Sequence, residues 1–149
     1  MTQEIDFILR IFVAALMGGL IGLEREYRAK EAGFRTHFLV ALGSALFMIV
    51  SAYGFTDSLT SDLQRWDVSR VAAQVVSGIG FIGAGTIIFH KSENVVRGLT
   101  TAAGVWVTAA IGLACGAGMY VLSIASTVMV LAGLEAFNYF LRRLDKHRK

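Results

Sequence analysis

Glu24, Arg25, Glu26 and Arg28 crowd into one short run of the chain, and Arg35, Thr36 and His37 follow a few residues later. Carboxylates and guanidinium groups at this density form salt-bridge networks, hold anions at helix amino termini, or bind hard cations where the carboxylates are free. A second polar block, Arg97 with Thr100 and Thr101, offers related chemistry, as does a distant pair, Glu135 with Asn138. Thr36, Thr100 and Thr101 are side chains suited to capping a helix amino terminus. With Arg35 or Arg97 alongside, such a terminus suits a lipid phosphate or a carboxylate. The competing reading is an internal network in which Glu24 pairs with Arg35 or Arg97 and needs no ligand. Glu24 and Glu135 are also candidate metal ligands, because two carboxylates with retained water suit Mg²⁺. The alternative for them is pairing with Arg97 or Arg142.

The elements that must position these groups are transmembrane helices. Of the 149 residues, 55% are hydrophobic and none is proline, a composition far from that of an ordinary soluble domain. Five stretches can cross a hydrocarbon core about 30 Å thick as helices: Ile5–Leu23, Phe38–Phe55, Val71–Phe89, Leu99–Gly116 and Met119–Leu141. Backbone groups in lipid must be satisfied within their own segment, so an all-α polytopic bundle is expected. It forms a single domain over residues 1–149, with a short basic tail from about Arg142. Cytoplasmic loops retain Lys and Arg. Arg25, Arg28, Lys30, Arg35, Lys91, Arg97 and the tail therefore belong inside, and Glu4, Asp6, Asp57, Asp62 and Asp67 outside. The amino terminus is expected outside and the carboxy terminus inside. The first span carries acids where a cleavable leader carries basic residues, and is expected to stay as an anchor.

Glycine spacing predicts close helix contacts. Gly18 and Gly22 form a GxxxG face on the first span, and Gly104, Thr108, Gly112 and Gly116 a ladder on the fourth. In the third span Gly78, Gly80, Gly83 and Gly85 allow two readings: tight packing, or a locally unwound segment whose carbonyls line a site or pore. The blocks Gly19-Leu20-Ile21-Gly22 and Gly80-Phe81-Ile82-Gly83 each precede an arginine by thirteen or fourteen residues, Arg35 and Arg97 respectively. This spacing suggests a duplicated helical hairpin with a fifth span added. Arg10 lies inside the first span, where snorkelling outward is expected. Cys115 is the single cysteine, which excludes an internal disulfide and leaves only an intermolecular one. His37, His90 and His147 are too scattered for a zinc cage. Topology accounts for the positive charge without nucleic acid. No nucleophile with a positioned base and no phosphate loop is present, so no enzyme is expected.

Four ordered blocks carry a family resemblance: Gly22-Leu23-Glu24-Arg25-Glu26, Ala32-Gly33-Phe34-Arg35-Thr36-His37, Gly78-Ile79-Gly80-Phe81-Ile82-Gly83-Ala84-Gly85 and Arg97-Gly98-Leu99-Thr100-Thr101-Ala102-Ala103. Together they resemble the signature of the bacterial MgtC/SapB family from about Gly18 to Gly118. The resemblance implies a bacterial inner-membrane protein linked to growth at low magnesium and, in some pathogens, to survival inside host cells. Members are often named magnesium-transport proteins, and the family is also associated with regulation of other membrane machines, including the F-type ATP synthase. The soluble carboxy-terminal domain of longer members is not in this sequence, so only a role of the membrane domain carries over. By matching motif, the implied functional residues are Glu24, Arg25, Arg35, Thr36, Gly80, Gly83, Arg97, Thr100 and Thr101. Two functions follow. One is a regulator that docks glycine-lined faces on partner helices in the bilayer and self-associates. The other is a small homo-oligomeric transporter or channel for Mg²⁺ or another cation.

Overall fold

The computed structural model describes residues 2–54, 67, 69–90 and 94–146, with the backbone alone for His90 and for 137–146. The chain forms helices α1 (Thr2–Tyr27), α2 (Phe34–Tyr53) and α3 (Ser69–Ala84). A hairpin of strands β1 (Ile88–His90) and β2 (Val95–Arg97) follows, then helices α4 (Leu99–Gly116) and α5 (Tyr120–Lys146). The expected helical bundle is present, and α1, α2 and α4 are long and apolar enough to cross a membrane. Asp57, Asp62, Arg65, Lys91 and His147 lie outside the described residues, as do the side chains of Asn138, Arg142 and Arg143.

Helix α2 is the centre of the bundle, gripped by glycines from both sides. A Cβ on Gly18 of α1 would stand 2.5 Å from the His37 carbonyl oxygen and 2.6 Å from Ala41 Cβ, and one on Gly22 would stand 2.7 Å from Phe34 Cα. From the other side, Gly112 of α4 rests on the Ala41 backbone, and a Cβ on Gly116 would come within 2.6 Å of the Ala45 carbonyl. Both glycine faces read from the sequence are therefore used inside the chain. Small residues earn this role in lipid because close backbone approach maximises dispersion contact where no hydrophobic drive separates helix from solvent. Ala14, Ile21, Ala41, Ala45, Ile111 and Cys115 fill the resulting core. Buried beside it, the Thr108 hydroxyl donates to the Gly104 carbonyl at 2.8 Å. Cys115 is wholly buried, so the intermolecular disulfide left open by its sequence is out of a second chain's reach in this fold.

The third span departs from its expected bounds. Val71–Phe89 was expected to be one helix, but α3 stops at Ala84, and its 16 residues span about 24 Å. The glycine-rich stretch up to Gly83 stays helical and does not unwind. The helix ends in a tightened turn: the Thr86 N–H donates to Gly83 O at 3.0 Å and the Ile87 N–H to Ala84 O at 3.1 Å. Ile88 and Phe89, with Val95 and Val96 opposite, then favour strand, being β-branched or aromatic. Packing also splits the glycines. Gly83 is buried against Ala102 of α4, whereas Gly78 and Gly80 have nothing among the described residues within 4 Å of an added Cβ. Gly22 and Gly83, the last residues of the two similarly spaced blocks, thus both rest near the start of the following helix.

Gly98 joins β2 to α4 at φ +91, and a Cβ there would collide with the Thr86 carbonyl oxygen. Left-handed backbone costs an L-residue about 1–2 kcal/mol before any clash. Gly98→Ala is therefore expected to lower thermal stability in detergent by more than that amount, with loss of hairpin register.

Arg10 does not simply snorkel outward. It holds the end of the bundle opposite the charged loops, pairing with Asp6 at 2.7 Å and donating to the Gly116 carbonyl at 2.9 Å. Its guanidinium also lies 5.7 Å from the Tyr53 ring centroid, so α1, α2 and α4 meet on one cation.

Candidate functional site at the basic end of the bundle

The charged run from Glu24 continues α1 past the expected end of the span, so helical spacing determines who meets whom. Glu24 and Arg28 are four apart, the favourable order for an acid preceding a base, and Arg28 Nε lies 3.4 Å from Glu24 Oε1. Arg25 Nε donates to the other Glu24 oxygen. The Arg25 side chain is 3% exposed and that of Glu24 13%, so this pair is largely withdrawn from solvent. Arg28 also donates to Glu135 of α5. The two carboxylates considered as Mg²⁺ ligands do converge, but on an arginine, so the chain supplies the cation between them. Among the described residues no group of three or more His, Cys, Asp or Glu could hold a metal ion.

The helix amino termini here are capped otherwise than expected. Thr36 lies inside α2, whose cap is Gly33, and Gly98 caps α4, neither cap making a side-chain hydrogen bond. The work is done across elements. The Glu26 carboxylate accepts the Phe34 N–H at 2.7 Å, serving the first turn of α2 from α1. Thr101, buried in α4, donates its hydroxyl to Glu31 Oε2 at 2.6 Å, so the α1–α2 loop is fastened to the start of α4. That hydroxyl, with Lys30 and Arg97 adding charge, holds the Glu31 carboxyl below its usual range. Because the folded-state value is depressed, the stabilisation exists above the ordinary carboxylate range and is lost as pH falls through the folded-state value.

His37 is wholly buried where α1, α2 and α4 meet. Its Nδ1 lies 2.9 Å from the Gly33 carbonyl, which can only accept, so Nδ1 carries the proton. Nε2 has no hydrogen-bond partner among the described residues, and a Cβ on Gly104 would sit 3.5 Å from it.

The structure thus gathers Glu24, Arg25, Thr101 and Glu135 at one end of the bundle. Arg97 stands near enough to Glu31 to act on it, but Glu24 pairs with Arg25 and Arg28 where Arg35 or Arg97 was the expected partner. Arg35 and Thr100 are exposed, and Thr36 is half-buried. Gly80 lies exposed on α3, away from the close contact that Gly83 makes. The sequence presents Glu26, Arg28 and His37 only as neighbours in the charged run and the family blocks, without a role in the site, and Glu31 was not singled out at all. The Glu24–Arg28 spacing is a signal for Arg28, whereas the contacts of Glu31 and His37 are made across the fold and leave no local signal.

A sequence profile described as the MgtC family matches residues 11–143. The chain belongs to the MgtC family. Similar family proteins include YhiD of Escherichia coli (strain K12), named as a candidate magnesium transporter, at 56% identity over 97% of this chain. SapB of Bacillus subtilis (strain 168) is 40% identical over 96% of the chain, and MgtC of Salmonella typhimurium (strain 14028s / SGSC 2262) is 45% identical over 84%. The matched part covers 65%, 61% and 49% of those three proteins, so this MgtC-family chain spans about half to two thirds of their length. No solved structure matches it.

Proposed function

We propose that this MgtC-family chain is a multi-pass inner-membrane protein that supports adaptation to low magnesium by docking on other membrane proteins and modulating them. Its basic end faces the cytoplasm in this reading. The observation that carries the proposal is the contrast between its two sets of functional groups. The inner carboxylates are engaged by Arg25 and Arg28, which argues against an open cation path, while glycines suited to helix docking stand unused. Among the described residues, nothing stands within 4 Å of a Cβ placed on Gly43, Gly78 or Gly80. Gly43 and Gly78 border a groove of about 520 Å³ between α2 and α3, with Leu39, Phe47, Gln74 and Ile79. Small residues on an open helix face let a partner's backbone approach closely. An F-type ATP synthase is one partner suggested by family resemblance.

The second reading, a homo-oligomeric Mg²⁺ transporter, is favoured by the name of the Escherichia coli relative. Sealed liposomes carrying the purified protein and a trapped Mg²⁺ indicator separate the two. The regulator is expected to show no Mg²⁺ entry above empty liposomes, while Gly78→Leu reduces crosslinking to membrane proteins in native membranes without lowering the melting temperature. Saturable Mg²⁺ entry, abolished in a folded Glu24→Gln protein, would overturn the proposal in favour of transport.

A further inference from the structure

The β1–β2 hairpin has an amphipathic register. Directly opposed residues share a face, so Phe89 and Val96 stand together on one side, and Ile88, Arg97 and Val95 occupy the other. Ile87, two residues before Phe89, extends the first face. That face is wholly apolar and exposed, Phe89 at 54% and Val96 at 47%; the other face exposes Ile88 and Val95 to a similar degree and differs in carrying the charge of Arg97. Two strands of three residues each are marginal alone in water, and so need a surface to rest on.

The length of α3 says which surface. At about 24 Å it falls some 6 Å short of a hydrocarbon core of about 30 Å, so its end at Ala84 lies within reach of the bilayer boundary. Phe81, 87% exposed near that end, and Leu99, exposed at the start of α4, continue the bare face into the lipid-facing belt of the bundle. Outer N–H and C=O groups of a two-stranded sheet would be unsatisfied in dry hydrocarbon, which keeps the hairpin out of the core itself. We propose that the hairpin lies flat in the boundary between hydrocarbon and headgroups at the basic end of the bundle, with Phe89 and Val96 turned into lipid. It completes the short third span, and its partner is the lipid surface.

The test uses the whole chain in liposomes of phosphatidylethanolamine and phosphatidylglycerol, with a nitroxide on single cysteines at positions 89, 96 and 95. The lipid-facing Phe12 of α1 serves as control, in a Cys115→Ala background. Labels at 89 and 96 are expected to collide more with dissolved oxygen than with a water-soluble nickel chelate, by a ratio below that of the deeper position 12, and the label at 95 is expected to reverse that ratio. Labels at 89 and 96 that favour the chelate would overturn the proposal by showing a hairpin standing in water. Shielding from both reagents would overturn it by showing a protein cover, whether a partner or a second copy. Because Cys115 is wholly buried, repeating the labelling with Cys115 retained supplies a second measurement should the alanine background fold poorly.

Discussion

Glu24→Gln is expected to destabilise the folded protein by about 3–5 kcal/mol, because it strands a charge that the fold has already withdrawn from solvent. The amide is nearly isosteric, so packing hardly changes and the effect isolates charge. Arg25, 3% exposed, loses its counterion, and Arg28 is left with Glu135. The check is a double-mutant cycle read by thermal unfolding in detergent. Glu24→Gln with Arg25→Gln should recover much of the loss, since removing both charges removes the uncompensated one. Glu135→Gln, at a carboxylate 57% exposed, should cost no more than about 1 kcal/mol. Equal losses for Glu24→Gln and Glu135→Gln would mean that burial does not set the energetics of this cluster.

Gly112→Ala should be the more damaging of two otherwise identical substitutions when compared with Gly78→Ala. At Gly112 the new methyl meets the Ala41 carbonyl and, at 2.9 Å, the Ala41 Cα, both backbone atoms that cannot swing aside. Helices α2 and α4 must part, an overpacking cost of about 1–3 kcal/mol. The parting also loosens the grip of Gly18 on the opposite side of Ala41, so the loss propagates to the α1–α2 contact. At Gly78 the same methyl enters open space, and the helix gains up to about 1 kcal/mol of propensity. Opposite signs in the two melting-temperature shifts are the expected result. Tolerance of alanine at 112 would sink the view of α2 as a helix clamped by glycines on two sides.

These two experiments also mark where sequence reading reached. Helical membrane class, five helices and the bounds of α4 were legible because apolar length and the need to satisfy backbone groups in lipid are local constraints. The glycine ladders were legible as contact faces for the same reason: a small residue every fourth position reports close approach on a helix. What they contact was not. That Ala41 receives both Gly18 and Gly112 follows from the order in which helices pack, which no single helix encodes.

The charged end shows the same division. Sequence by itself marked Glu24 as an ion-pair partner and placed it in a dense run of charge, but it ended the first span at Leu23 and paired Glu24 with Arg35 or Arg97. The continuation of α1 to Tyr27 is what sets Glu24 against Arg25 and Arg28. Sequence also marked the blocks through which the chain belongs to its family. Only the tertiary structure decided that Arg28 reaches Glu135 from 107 positions away, that Glu31 fastens Thr101, and that glycines cap the helices where threonines were expected. It also decided that the third helix ends early, at Ala84, and gives way to a hairpin. Strand and helix were close competitors over Ile87–Phe89, and the outcome turned on pairing with Val95–Arg97, a contact formed only when the chain folds back on itself. Helix spacing is written locally in covalent order, whereas ion pairs and strand pairs depend on distances that the packed bundle alone determines.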